Sequence, residues 1–512
     1  MPQWSRSLLH ARWLSVFIFS ILGLIGILRH SMWRDEMNTW LIVRDSHSFL
    51  DLIGNVHYQG HPILWAISLA LLRNIADTPL VMQLSHLLLA ISSATIFWFF
   101  SPFSWRQRIL FIFGYLPFYK YLLFSRNYAL GMLFLFAFCT CFNQRKTTYI
   151  FLSILLGLMA NSNAYALFIS CALWLTLLVE FCVDAEHRKK YLSQSQKYDL
   201  PVSLLILLLC HLLAIYIILP PVDSYNHGGL VSGWVTHFDL HRLFVVIGRL
   251  FAGYTLITPT SKRWIDLIFC GFIALFIVVL TLFKLFPKKL PLFFYTVATF
   301  EILAFTYFRF LGIGPRHFGH FYLILLSSLW LASYSERETS LLNGFPPRQN
   351  LLSLARRGHH IVLMILLYIH FFSGIACFFG DVIKPFSASR KTAHYIQKHQ
   401  LEEEFIVASR DANMAALSGY LNRKFYYPER QDMGSFTLFK EGRNEVEQDE
   451  ILQQVSSLLH CQEERERILL ILNKKKLSSS RDDLQIFPIQ AFENAWTDTE
   501  TYYLYWAQRK TL

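Results

Sequence analysis

The stretch LSVFIFSILGLIGILRHSMWRDE, residues 14–36, decides the class of this chain. Residues 14–28 carry no charge and are close to the length that crosses a bilayer, and a carboxylate pair, Asp35-Glu36, follows just beyond them. Apolar runs of about 16 to 22 residues recur down the chain, which is 54% hydrophobic with 46 Phe and a mean hydropathy of +0.36. That pattern predicts a polytopic α-helical membrane protein. A transmembrane barrel would instead show alternating segments of roughly ten residues.

Eleven spans are expected at about 14–29, 80–100, 109–124, 127–142, 149–163, 164–182, 200–220, 264–283, 290–308, 318–334 and 360–380. Segments 61–74 and 241–258 are short or charged and read as helices at the membrane surface. With the N-terminus inside, loops 101–108, 143–148, 183–199, 284–289 and 335–358 hold 15 Lys+Arg in 61 residues. The opposite loops, 30–79, 125–127, 221–263 and 309–319, hold 10 in 107. This bias sets the N-terminus in the cytoplasm and puts Asp35-Glu36 on the extracytoplasmic side. Residues 14–29 after Arg6 and Arg12 look like a signal peptide, but no small-x-small site follows, so a retained first span is expected.

Charge divides the chain in two. Residues 381–512 hold 18 basic and 20 acidic residues, a net of −2, so residues 1–380 carry a net of +14 within the chain's total of +12. Two domains are expected: a transmembrane catalytic domain over 1–380, with a first outer loop of surface helices at about 30–79, and a small soluble α/β extracytoplasmic domain over 381–512. In the latter, strands are predicted at 405–408, 424–427, 435–440, 468–472 and 502–506, with helices at 413–421 and 445–461. No glycine-rich phosphate loop occurs there, so a lid or docking module is expected. A basic membrane portion beside a near-neutral tail argues for anionic membrane lipids and against nucleic acid. Seven of the eight Cys lie in or beside apolar segments, which excludes a disulfide framework in the tail.

Charged groups near bilayer depth usually face a cavity or pathway. Around Asp35 and Glu36 lie Trp33, Arg34, Trp40, Arg44, His57 and His61, a mixture suited to a sugar and a phosphate. A carboxylate there can act as general base for a hydroxyl; a solvated pair anchoring the first span is the simpler alternative. His57 and His61 are open to three readings: metal ligands, donors to phosphate or sugar, and structural histidines. A zinc protease is not among them, because Tyr58 stands where such a motif needs Glu, and Gly60 and Pro62 break the helix. Lys120, Arg126 and Tyr128 form a second cluster. Arg126 opposes the positive-inside trend, and its guanidinium suits a lipid-linked phosphate. Arg309, Arg316, His317 and His320 form a third, next to Gly312 and Gly314, with Glu301 a candidate partner for these cations or for Arg249.

At these residues the chain resembles the GT-C glycosyltransferase superfamily, in its glycosyltransferase-39-like branch of protein O-mannosyltransferases and bacterial aminoarabinose transferases. The resemblance rests on Asp35-Glu36, on Gly60-His61-Pro62-Ile63-Leu64-Trp65 and on Arg126-Asn127-Tyr128-Ala129-Leu130. It covers roughly residues 14–180, and Arg316-His317 more loosely. Gln59 stands where the family usually has an acidic residue, and Ile63 where it often has a second Pro. The resemblance implies a sugar donor on a polyprenyl phosphate and an acceptor hydroxyl on protein, lipid or glycan. It makes Asp35 the base, with Glu36 orienting the acceptor or Arg34, and inversion at the anomeric carbon. Arg126, Arg316, His317 and Lys120 would hold the phosphate, and His57, His61 and Tyr128 the substrate. No cofactor is required, although Mg²⁺ or Mn²⁺ on the carboxylate pair stays open. The expected location is the bacterial inner membrane, which the lack of any Asn-x-Ser/Thr sequon fits. An O-antigen-type polymerase or ligase and a transporter are the alternatives. The first would place its arginines in a later outer loop, and the second would carry midplane charges and repeated halves.

Overall fold

A computed structural model describes residues 3–224, 233–312, 314–335, 346–461 and 465–510. The expected loops 221–263 and 335–358 therefore lie partly outside the described residues. The helical part runs through α1 (Gln3–Arg29), α2 (Arg34–Asp45), α3 (Phe49–His57), α4 (Leu64–Arg73), α5 (Pro79–Phe100), α6 (Trp105–Ile112), α7 (Tyr128–Cys141) and α8 (Ile150–Ala160). It continues through α9 (Ala164–Val183), α10 (Ala185–Gln194), α11 (Asp199–Ile218), α12 (Leu240–Thr255), α13 (Trp264–Leu285), α14 (Lys289–Phe308), α15 (Pro315–Leu331) and α16 (Pro346–Ile383).

Every expected apolar segment except 109–124 is helical over most of its length, but eleven full spans are not what the lengths support. Among the described residues, six helices are long and apolar enough to cross a membrane: α5, α9, α11, α13, α14 and the Arg356–Ile383 part of α16. The count is seven if α1 and α2, bent by 80°, are taken as one broken span. The 11 residues of α8 reach only about 16 Å, and the 14 of α7 about 21 Å, short of a core of about 30 Å. The expected span 109–124 is broken. α6 ends at Ile112, and a single wide turn follows over Tyr115–Lys120. Pro117 within it has no N–H to give, and its ring would clash with the carbonyl four residues earlier in a regular helix. Gly114 and Gly374 let this turn touch α16: a Cβ on Gly374 would lie 2.6 Å from the Gly114 carbonyl carbon. Aromatic rings fill the helical core, with Phe97 packed on Phe111 at 4.0 Å and edge-on to Trp330 at 5.8 Å.

The tail is a three-layer α/β unit. β1 (Ile406–Ser409), β2 (Phe425–Tyr427), β3 (Asp432–Gly434), β4 (Arg467–Asn473), β5 (Leu484–Phe492) and β6 (Tyr502–Arg509) form one sheet in the order β3-β2-β1-β4-β6-β5. β1 is parallel to β2 and β4, and the other pairs are antiparallel. Both faces are covered. Ile468, Leu470 and Leu472 pack on α19 (Gln448–Cys461). Leu469 and Ile471 pack on α17 (Ser389–Lys398) and α18 (Asp411–Leu421). A strand buried on both sides reads as an unbroken apolar run, which is how 468–472 appears in the sequence.

Two expectations for the tail are corrected. Residues 435–440 form no strand, because side chains take up much of their backbone. Asn38 Oδ1 of α2 accepts from Thr437 N at 2.8 Å and its Nδ2 donates to Thr437 O at 3.1 Å. Tyr427 and Arg430 donate to Ser435 O and Phe436 O, and Lys440 makes only an isolated bridge with Ser224. Instead Asp432–Gly434 supplies the edge strand β3. β5 was not foreseen, since as an edge strand it alternates only weakly between buried and exposed positions.

The outer loop and the tail share one core. Met37, Trp40 and Leu41 of α2 pack with α3, α4 and Ala415 and Ala416 of α18. Each such buried side chain contributes about 1.5–3 kcal/mol. Contact is close at Gly419, where a Cβ would meet Met37 Sδ at 2.7 Å. This packing sets α2 against the tail rather than in lipid.

Candidate active site

α2 is positioned by its first turn. Glu36 is fully buried and spends both carboxylate oxygens inside the protein. Its Oε2 accepts from Trp33 N at 3.2 Å and from His30 Nε2 at 3.0 Å, and its Oε1 accepts from Ser125 N at 2.7 Å. His30 reaches in the other direction to Asp381 Oδ2 at 2.6 Å, at the end of α16. Burial alone would lower the His30 pKa, but Asp381 and Glu36 outweigh it and raise it to about 10. The imidazolium thus donates on both sides and ties the α1–α2 corner to α16, while Glu36 ties it to the turn before α7.

Asp35 is one residue earlier and points elsewhere. Its side chain is 24% exposed, and it sits among cations. Arg316 Nη2 is 3.1 Å from Asp35 Oδ2, and Arg34 Nε is 3.7 Å from Oδ1. Arg126 donates from Nη1 to the Asp35 backbone carbonyl. Burial would raise the Asp35 pKa, yet Arg126, Arg316 and Arg34 together hold it below the ordinary carboxylate value. The carboxylate is ionised at neutral pH and also gains from its place in the first turn of a helix.

The three sequence clusters meet here. Arg126 Nη2 donates to His61 Nε2 at 2.9 Å. Burial, with Arg126 and Arg316 nearby, lowers the His61 pKa to about 3 against the pull of Asp35. His61 is therefore neutral, with its proton on Nδ1, and that buried atom has no protein partner. Arg126 Nε, Asn127 Oδ1 and Trp33 Nε1 are likewise buried and unpartnered. Orphaned polar atoms are costly unless something pairs them. Tyr128 lies 6.1 Å from the His61 ring and stacks on Tyr121 at 5.8 Å. Tyr121 donates its hydroxyl to Arg316 O at 2.8 Å, and the Arg316 guanidinium lies 5.3 Å from the centre of the Trp33 ring. His317 accepts from Arg316 Nε at 3.3 Å and stacks on Tyr165 at 5.5 Å. Lys120 Nζ is 3.4 Å from the centre of the Phe124 ring and 5.4 Å from that of Phe386.

Two expected members stand apart. His57 ends α3 and lies 2.8 Å from Tyr216 O on α11, away from Asp35. Among the described residues no ion pair joins Glu301 to Arg249; Glu301 Oε2 and Arg249 Nε are each buried without a partner. Sequence reasoning missed His30, Asp381 and His86, whose ring nitrogens lie 3.1 Å from Leu122 O and Arg126 O and brace the Arg126 turn. It also missed the tail's approach, in which Arg34 donates to Asn413 of α18 and Phe386 packs edge-on to Trp33 at 5.2 Å. A histidine inside an apolar run was the one available signal for His86.

No family model matches this chain, and no curated protein matches it. Among solved structures, the chain is similar to the one titled "Crystal Structure of ArnT from Cupriavidus metallidurans bound to Undecaprenyl phosphate". The two are 12% identical with a TM-score of 0.48, over 96% of this chain and 97% of that one.

Proposed function

We propose that this membrane protein is a glycosyltransferase that moves a sugar from a polyprenyl-phosphate donor to an acceptor hydroxyl at the extracytoplasmic face. The observation that carries the reading is the Asp35–Arg316 contact at 3.1 Å, with Arg126 bound to the same residue's carbonyl. A single ionised carboxylate ringed by guanidinium groups matches what a base and a departing phosphate need side by side. The resemblance through Asp35-Glu36, Gly60-His61-Pro62 and Arg126-Asn127-Tyr128 points the same way.

In this mechanism Asp35 accepts the proton of the acceptor hydroxyl. The hydroxyl oxygen bonds to the anomeric carbon as the bond from that carbon to the phosphate oxygen breaks, which inverts the centre. Arg316 and Arg126 take the charge left on the lipid phosphate, and one such fixed donor is worth about 3–4 kcal/mol in the transition state. Before the donor arrives, the same arginines depress the basicity of Asp35. Once the phosphate engages them, the carboxylate becomes a stronger base when one is needed. His61 Nδ1 and Tyr128 offer donors to sugar or phosphate. Glu36 acts through position alone, since its buried oxygens hold His30, Trp33 and Ser125.

The donor set does not suit Mg²⁺ or Mn²⁺. Among the described residues no three His, Cys, Asp or Glu side chains converge as ligands. Arginines occupy the surroundings of Asp35, and Glu36 is turned away from it. No step is routed through a metal.

The test is donor turnover by purified protein in nanodiscs with a panel of radiolabelled polyprenyl-phosphate sugars and a membrane extract as acceptor source. Wild type should release lipid phosphate and label an acceptor. A folded Asp35→Asn should bind the donor and fail to transfer it. Equal activity in the variant would overturn the assignment.

A further inference from the structure

A second basic site lies at the far end of α15 from Asp35. α15 carries Arg316 in its first turn and ends at Leu331, and its 17 residues separate the two ends by about 25 Å. At the second end is a cavity of about 310 Å³ between α6, α13, α15 and α16. Lys284, Lys288, Arg356, His359 and His360 line it, and Phe103 and Leu363 form part of its apolar wall. No carboxylate is among the described residues lining it.

Topology accounts for cations on this face, but topology asks only that they sit in loops. Here they converge on a concavity, and His359 is buried within it. Lys284 and Lys288 both already take part in contacts, Lys288 Nζ donating to Ala332 O at the end of α15. Trp105 at the start of α6 is 63% exposed, with Arg106 5.4 Å from its ring, as at a membrane interface. A basic hollow with an apolar wall has the chemistry of a phosphate on an acyl-bearing molecule.

We infer that this cavity is a phosphate-binding site for a lipid head group in the leaflet opposite the Asp35 site. The inference stands independently of the transfer chemistry. Phosphate is the recognised group, held by Lys284 and Arg356, and the apolar wall takes the start of the acyl chains.

The experiment titrates the purified full-length protein in detergent with short-chain phosphatidic acid, the matching diacylglycerol and inorganic phosphate. Bound copies are counted by native mass spectrometry, and melting temperature reports folding. Phosphatidic acid should bind saturably and diacylglycerol should not. The double variant Lys284→Gln/Arg356→Gln should weaken binding about tenfold or more. Lys189→Gln/Lys190→Gln, exposed cations in an expected loop on the same face, should leave it unchanged. If the first double variant does not fold, Lys284→Gln alone changes an exposed side chain and should still weaken binding about threefold. Inorganic phosphate that competes with equal affinity would support the phosphate site and overturn the lipid source. Non-saturable binding, or equal loss in both double variants, would overturn the site and leave the cations as topology signals only.

Discussion

Arg316 at the start of α15 reaches back to Asp35 at the start of α2, with Nη2 3.1 Å from Oδ2. The contact joins two segments far apart in sequence and makes the charge of each depend on the other. Removing the arginine frees the base but leaves the phosphate without its partner. Arg316→Gln should therefore lower kcat by about 10²- to 10³-fold, the scale of losing one charge-stabilising donor. A loss confined to KM would mean that Arg316 only binds the ground state.

Asp35 titrates below its ordinary value of 3.8 in the resting site. A group with a lowered folded pKa stays ionised down to that lower value, while the stability it lends is full only above the ordinary value of 3.8 and is lost progressively as pH falls from there to the lower one. The acid limb of kcat/KM, which reports the free enzyme, should consequently fall below the ordinary carboxylate range. In Arg316→Gln that limb should move to higher pH. An unmoved limb would detach Asp35 from it.

The Asp381–His30–Glu36 chain should hold the α1–α2 corner. Breaking a buried ion pair from one side costs about 3–5 kcal/mol, so Asp381→Asn should lower the melting temperature of the detergent-solubilised protein by several degrees. An unchanged melting temperature would show that the corner is held by packing alone.

The same chain has a pH signature. His30 is raised from 6.5 to about 10. Its stabilisation is full below about 6.5, declines as pH rises and is gone by about 10. The gap in melting temperature between wild type and His30→Gln should accordingly close across that window. A gap constant from pH 6 to 10 would contradict the imidazolium.

His57 supplies a contrast. It lies against Tyr216 O and outside the Asp35 cluster, so His57→Ala should retain transfer within about twofold, whereas His61→Ala, which strips Arg126 of a partner, should not. Equal losses would place His57 in the site after all.

Asn38 is where the outer loop grips the tail. Asn38→Ala removes both bonds to Thr437 and leaves a buried donor and acceptor unpaired, at about 1–3 kcal/mol each. Hydrogen exchange should rise at Thr437 and its neighbours while β4 stays protected. Unchanged exchange at Thr437 would mean that the segment is held by other contacts.

Much of this was legible in the chain itself. Apolar runs predicted the helices because a bilayer core demands that composition, and the apolar run 468–472 announced a strand buried on both faces. Arg126 stood out by opposing the charge bias of its surroundings. What could not be read was where helices break or stop short. Pro117 splits 109–124, and α8 is too short to span, because neighbouring helices rather than lipid meet their ends. Nor could residues 435–440 be read, since their backbone partners are the Asn38, Tyr427 and Arg430 side chains and an isolated bridge to Ser224 rather than a strand ladder.

The sequence by itself determined a helical membrane protein with an α/β tail, a carboxylate pair after the first apolar run, and three clusters of cations to meet it. The resemblance already set Asp35 apart from Glu36, and only the tertiary structure decided which way each carboxylate points. Consecutive residues on a helix point about 100° apart. That rotation turns Glu36 inward to His30 and Ser125 and leaves Asp35 facing Arg316. The helix fixes the angle between them, and the packing of α2 against α18 fixes which way it points.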